Sequence, residues 1–301
     1  MTDREKLEKT LRDLEKTTGL VLRVEEQPDT DLGEAAEKAG QLLSAYRERY
    51  SRSYFLRALL TGDGEAADLP KMAARYHVPF EEERVIYAVD IDGGNGEAVQ
   101  AVLKGMFLER RHDFVEMLSP ERFAVIRTRK GEEDPHVTAR TIVDMLGAEA
   151  LTRARAGFGR PVTKLTEFRR AYAEASLAVE IGRVFYSEQR VISYGKLGIG
   201  RLIHQLPEEP CRLFLSETFG SFDPVSFDEE TALTIRTFFE NNLNISETAR
   251  KLYLHRNTLV YRLEKLHQQT GLDLRSFEEA MSFRMAMMVY DYLKDRERER
   301  A

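Results

Sequence analysis

NNLNISETARKLYLHRNTLVYRLEKLHQQT, residues 241–270, carries the most decisive pattern in the chain. Asn244 stands where it can cap a helix starting at Ile245, and Glu247 falls at the third helical position, completing an N-x-x-E capping box. Ile245, Ala249 and Leu252 share one helical face. Tyr253, Leu254 and His255 read as a short turn. A second helix is predicted from Arg256 to Gln269, with Gly271 as its stop. Its apolar stripe is Leu259, Leu263 and Leu266, flanked by Val260. Two short helices about a tight turn, the second basic and polar on its outer face, fit insertion into a DNA major groove.

The residue types support that reading. Arg256 and Arg262 can each offer a bidentate donor pair to a guanine edge or a phosphate, and Asn257 can pair with adenine or a phosphate. Thr258 and Tyr261 bring hydroxyls, and Lys265 extends the basic face. Ser246 and Thr248, near the start of the first helix, are expected to set hydroxyls and amides against a phosphate. The competing description is an ordinary helical hairpin whose charged face is merely solvated. The short turn, the small Ala249 at the helix crossing and the run Arg256-Asn257-Thr258 weigh for double-stranded DNA.

The run from Ser246 to Leu266, SETARKLYLHRNTLVYRLEKL, also resembles the C-terminal domain of PucR/CdaR-type bacterial transcription regulators, a family that includes regulators of purine catabolism and of sugar-diacid use. H-R-N-T-L-x-Y-R-L is far more specific than a generic helix-turn-helix match. LDLRSFEEAMSFRMAMMVYDYL, from Leu272 to Leu293, resembles the family's closing helix. Around this motif, Asp228–Asn241 is predicted as the first helix of the C-terminal domain, with Leu233, Ile235, Phe238 and Phe239 in its core. Ser276–Leu293 is predicted as the last, burying Phe277, Ala280, Met281, Met285, Met288 and Val289, with a frayed charged tail.

The central segment alternates strands and helices. Arg84–Ile91 is an apolar strand, Gly93–Gly96 a turn, and Glu97–Leu108 an amphipathic helix. Asp113–Leu118 and Arg122–Arg127 read as a hairpin. Thr138–Leu146 is a helix, Thr152–Phe158 a strand, Leu165–Phe185 a long helix and Val191–Ser193 a short strand. The order β-α-β-β-α-β-α-β is that of a ferredoxin-like or nucleotide-cyclase-like α/β fold. EMLSPERFAVI, Glu116–Ile126, resembles the GGDEF hairpin of diguanylate cyclases in the degenerate form found in PucR/CdaR-type regulators. The cyclase motif carries two glycines and two acids. Here the turn is Ser119-Pro120-Glu121-Arg122, so both glycines are gone, Pro120 lacks an amide donor, and Arg122 opposes a divalent metal. Asp90 and Asp92 remain on the first strand, but the hairpin argues against catalysis. The domain is expected to act as a sensor or scaffold.

In the N-terminal third, Leu7, Leu11 and Leu14 mark a helix ending at Gly19, and Leu20–Val24 a short strand. Pro28–Gly33 is a loop, Glu34–Leu60 one long helix offered as a self-association surface with the long C-terminal helix as runner-up, and Pro70–Tyr76 a further helix.

Composition sets the frame. The 301 residues suggest two or three domains, with 42% hydrophobic content for cores and 32% charge for solubility. A net charge of −6 disfavours general nucleic-acid binding and calls for a local basic surface. The single cysteine, Cys211, fits a reducing compartment and reads as a small buried hydrophobe. The start, MTDREKLEKT, has no apolar signal core, and no stretch approaches the roughly 18 apolar residues of a membrane span, so a cytoplasmic location is expected. The six histidines form no ligand cluster. Neither a metal nor a cofactor is expected, and Gly93-Gly94-Asn95-Gly96 lacks a phosphate-loop pattern.

The expected architecture is multidomain α+β. Residues 1–76 form a mostly helical region, 77–206 a degenerate GGDEF-like domain, 207–227 a linker with three prolines, and 228–301 an all-α helix-turn-helix domain. The expected function is a sequence-specific DNA-binding transcriptional regulator, a homodimer or larger, answering an unidentified small-molecule effector. The alternatives are a nucleotide-binding or cyclase-type enzyme and a signalling scaffold that does not touch DNA.

Overall fold

The computed structural model describes residues 2–18, 31–49, 51–62, 69–107, 112–129, 131–220, 222, 224 and 227–300. The strand expected at Leu20–Val24 lies outside them. The chain forms two compact units, residues 1–179 with 190–195, and residues 180–189 with 196–301.

The first unit opens with α1 (Asp3–Thr18) and α2 (Leu32–Arg49), which pair as a helical hairpin through Leu7, Leu14, Ala39 and Leu43. The single helix expected over Glu34–Leu60 is divided in two. Ser51 caps α3 (Arg52–Thr61), its hydroxyl accepting from the Tyr54 amide at 2.9 Å, so the chain restarts there rather than running on. Gly62, at φ 85°, stops α3. The two pieces have different partners. Phe55, Leu56 and Leu60 of α3 are buried in the core of the unit, so they cannot form the self-association surface expected of the undivided helix. A short helix, α4 (Leu69–Arg75), follows.

The sheet is built from β1 (Glu81–Ile91), β2 (Phe114–Ser119), β3 (Arg122–Thr128), β4 (Ala154–Phe158), β5 (Val162–Lys164) and β6 (Val191–Ser193). Helices α5 (Gly96–Met106), α6 (Pro135–Glu149) and α7 (Phe168–Phe185) connect them. The strand order is β2-β3-β1-β4-β6, with β1 antiparallel to β3 and β4, β4 parallel to β6, and β5 paired to one end of β1. β5 has no counterpart in the sequence reading.

Alternation along β1 explains why its whole apolar run is buried. Val85, Tyr87, Val89 and Ile91 point to one face, covered by α5 and α6 through Val99, Leu103, Ala139, Ile142 and Leu146. Ile86 and Ala88 point to the other, covered by α3, α4 and α7 through Phe55, Leu56, Ala73, Phe168 and Ala175. With both faces covered, strands read as continuous apolar runs rather than alternating ones. Arg84 is the exception on this strand. It is fully buried, with its guanidinium held by the Pro79 carbonyl at 3.0 Å and the Glu82 carboxylate at 2.7 Å.

Glu116 on β2 is also buried, and its carboxylate accepts from the Ser53 hydroxyl of α3. Burial raises its pKa above the usual carboxylate range, outweighing the Ser53 hydrogen bond and the nearby Arg57, Lys104 and Arg52. A carboxyl whose folded-state pKa is raised stabilises the fold fully only below its unfolded pKa, and that contribution is lost as pH rises through the folded value. Glu116→Gln keeps an acceptor for Ser53 and never ionises. Its stability in urea should therefore improve on the natural chain more at pH 8 than at pH 5. An equal difference at both pH values would contradict this account.

The second unit holds α8 (Gly200–Ile203), α9 (Glu208–Phe219), α10 (Glu229–Glu240), α11 (Ile245–Lys251), α12 (Arg256–Thr270) and α13 (Phe277–Arg300). The stretch expected to be a linker, with a short helix expected at Leu213–Gly220, contains the longer α9, which packs on α13. Cys211 is buried there with Ile203, Met288, Val289, Tyr292 and Leu293, and burial raises its thiol pKa. The charged tail, expected to fray, continues α13 to Arg300. Arg300 bonds Glu208 at 2.6 and 3.2 Å, and Arg212 bonds Glu297 at 3.0 Å. Phe277 and Met281, expected in the core, are exposed, as is Leu233 on α10. Each lies on the solvent side of its helix, the buried side being set by Ala280, Phe283 and Ala286 on α13 and by Ile235 and Phe238 on α10.

Candidate nucleic-acid interface

Helices α10, α11 and α12 are joined by two tight turns of one design. After α10, the Leu243 amide bonds the Phe238 carbonyl at 3.0 Å and the Asn242 amide bonds that of Phe239 at 3.1 Å. After α11, the Leu254 amide bonds the Ala249 carbonyl at 2.8 Å and the Tyr253 amide bonds that of Arg250 at 3.2 Å. Each pair satisfies the last carbonyls of its helix, and the chain reverses through left-handed residues, Asn242 at φ 52° and Leu243 at φ 60° after α10 and Tyr253 at φ 55° after α11. Asn244 then caps α11, accepting from the Glu247 amide at 3.1 Å. The reciprocal half of the predicted capping box is not made. The Asn244 amide goes to the Asn241 carbonyl at 3.0 Å, and Glu247 turns to Arg250 at 3.2 Å.

Helix α12 starts at a cap that the sequence reading placed only in a turn: Nδ1 of His255 accepts from the Asn257 amide at 3.3 Å. Its stop is Gly271 at φ 75°. Leu259, Leu263 and Leu266 are buried against Phe238, Ala249, Leu274 and Phe283. This stripe fixes the rotation of α12 and turns Arg256, Asn257, Thr258, Tyr261 and Lys265 to solvent. Ser246 at the start of α11 is also exposed.

Two of the expected DNA-facing residues are placed differently. Thr248 is wholly buried, since it lies beside Ala249 on the inner side of α11, and its hydroxyl has no hydrogen-bond partner among the described residues. Arg262 flanks the Leu259–Leu263 stripe, and its side chain keeps only 24% of its exposure. Its guanidinium donates to the Thr234 hydroxyl at 3.2 Å and pairs with Glu230, tying α12 to α10.

The hairpin of the first unit carries an ion pair where the cyclase motif carries acids. Across β1 and β3, Asp90 and Arg122 are register partners, and the guanidinium holds the carboxylate at 2.8 and 2.7 Å. That bidentate pair occupies the acid a metal would need. The turn itself closes on α5, where a Cβ at Gly96 would come within 2.7 Å of the Pro120 carbonyl oxygen. Asn95 caps the start of α5 by accepting from the Glu97 and Ala98 amides at 3.0 and 3.3 Å, so those donors are already engaged. Pure protein incubated with GTP and magnesium or manganese should give no cyclic dinucleotide. Product above a no-protein control that vanishes on Asp90→Ala would overturn this reading.

Residues 232–289 match the PucR C-terminal helix-turn-helix domain, and residues 61–181 match the GGDEF-like domain. The purine catabolism regulatory protein of Bacillus subtilis (strain 168) is 33% identical over 132 residues, covering 44% of this chain and 25% of that protein. The carbohydrate diacid regulator of Escherichia coli (strain K12) is 21% identical over 243 residues, covering 77% and 63%. The proline-responsive transcriptional activator PutR of Bacillus subtilis (strain 168) is 20% identical over 260 residues, covering 82% and 63%. The chain therefore spans a quarter of the first relative and under two thirds of the other two. The two matched domains lie in the order GGDEF-like, then helix-turn-helix. Among the described residues, no helix is long and apolar enough to cross a membrane.

Proposed function

We propose that this chain is a sequence-specific DNA-binding transcriptional regulator whose α12 reads the major groove. The observation that carries the proposal is the division of α12 into a buried leucine stripe and an exposed face of Arg256, Asn257, Thr258, Tyr261 and Lys265. Arg256 and Asn257, in the first turn of the helix, are placed to meet base edges, because a recognition helix contacts bases mainly through its N-terminal residues. Ser246 at the start of α11 is placed for a phosphate. Arg262 acts mainly as a brace between α12 and α10, and Thr248 as a packing residue.

The GGDEF-like domain serves as a non-catalytic sensor or transmitter for a small-molecule effector; the Asp90–Arg122 pair supports the absence of phosphoryl chemistry. The working unit is a homodimer or larger, since two half-sites about 34 Å apart raise both affinity and specificity. Such a protein works where it meets DNA, in the cytoplasm of a bacterial cell.

Arg256→Ala tests the reading directly. Loss of a bidentate base contact should cost about 1–3 kcal/mol on the preferred sequence and relax selectivity at one position. Loss of a phosphate contact would instead weaken all duplexes alike and lower the salt dependence by about one ion. Fluorescence anisotropy on a duplex selected by the natural chain from a random library, and on a scrambled duplex, separates the two. Unchanged affinity on both, with the fold intact, would remove Arg256 from the interface.

A further inference from the structure

The turn that ends α11 needs a left-handed residue, and glycine is the residue that adopts that conformation without a Cβ clash. The stop of α12 follows that preference with Gly271. The stop of α11 does not, and Tyr253 sits there at φ 55°. A bulky residue in this conformation is expected where packing repays the strain, but Tyr253 is 97% exposed among the described residues. Among the described residues it is the most exposed of the large hydrophobic side chains, and it stands three residues ahead of Arg256, at the end of α12 that leads into the groove. Arg256 and Asn257 are exposed directly after this turn, in the first turn of α12.

We propose that Tyr253 is a positioning residue for DNA binding, its phenolic O–H donating to a phosphate oxygen beside the groove that α12 enters. This rests on the DNA-binding reading above and adds to it a residue that the helix face alone would not include. Tyrosine hydroxyls are among the side-chain donors to DNA phosphates, and such contacts set register and orientation without reading sequence. The strained turn holds the ring outward ahead of the first turn of α12.

The test uses Tyr253→Phe and Tyr253→Gly in the full chain, with a duplex selected by the natural chain from a random library and a scrambled duplex of equal length. Both variants should lose about tenfold in affinity on both duplexes, as expected for one hydrogen bond to a charged acceptor. Tyr253→Gly should also raise the thermal midpoint by about 2–4 °C through relief of the left-handed strain, while Tyr253→Phe leaves it unchanged. A variant that gains stability while losing DNA affinity is the expected signature, and a purely structural Tyr253 could not give it. Either variant binding within twofold of the natural chain would overturn the proposal, as would a loss confined to the selected duplex. Failure of the natural chain to enrich any duplex from the library would sink the DNA-binding reading as a whole, an outcome distinct from normal binding with unaffected variants.

Discussion

Leu263→Ala should weaken DNA binding near the growth temperature of a mesophile while leaving every exposed residue of α12 in place. Leu263 is fully buried at the centre of the stripe that packs α12 on Phe238, Ala249 and Phe283. Truncating a buried leucine removes its transfer free energy and leaves a cavity, a cost of about 2–5 kcal/mol. Domains commonly have only about 5–15 kcal/mol of stability, so the loss is a large part of the total. The apparent affinity then falls with the folded fraction, since only the folded motif presents Arg256 and Asn257 together. Circular dichroism melts followed by anisotropy at 10 °C and 37 °C would show the effect. Binding should recover in part at the lower temperature, which separates this variant from Arg256→Ala, whose defect persists wherever the protein is folded. A melting midpoint equal to that of the natural chain would mean that Leu263 is not the keystone of the motif.

Gly157→Ala should destabilise the first unit by about 3 kcal/mol, at the upper end of the usual overpacking range. Gly157 lies on β4, facing α7. A Cβ there would stand 2.3 Å from the Ala175 carbonyl oxygen, 2.8 Å from a Val179 methyl carbon and 3.0 Å from the Val179 amide nitrogen. Two of these three contacts are backbone atoms, so no rotamer change relieves them, and α7 must move away from the sheet. The same helix buries Phe168, Ala171 and Ala175 against Ile86 and Ala88, and a shift loosens all of these contacts together. Urea unfolding monitored on this unit should show a lower midpoint with a similar slope. A loss under about 0.5 kcal/mol would show that α7 can retreat at little cost, contrary to the close-packed interior expected here.

The sequence alone determined the parts whose signals are local. The Leu259–Leu263–Leu266 stripe, the Asn244 cap and the Gly271 stop specify two helices and their turn, because period, capping and left-handed stops act over a few residues. The apolar run of β1 and the Ser119–Arg122 turn specified the strand and hairpin of the central domain for the same reason. Arg122 and Pro120, standing where a cyclase needs acid and glycine, already argued against catalysis.

Tertiary structure alone decided which partner each side chain meets. Helical spacing could not tell that Glu34–Leu60 breaks at Ser51 or that its second half is claimed by the sheet, since Phe55 and Leu56 would look the same on a dimer face. It could not tell that Thr248 faces inward, that Arg262 is taken by Thr234 and Glu230, or that Arg122 clasps Asp90 from 32 residues away. Nor could it show that the charged tail is held in helix by Glu208 and Arg212, residues about 90 positions earlier. These are contacts between residues far apart in the chain, and a pattern read over one or two helical turns carries no information about them. The left-handed Tyr253 belongs with them: its residue type was in plain sight, but its strain and its bare ring exist only once the turn between α11 and α12 has closed.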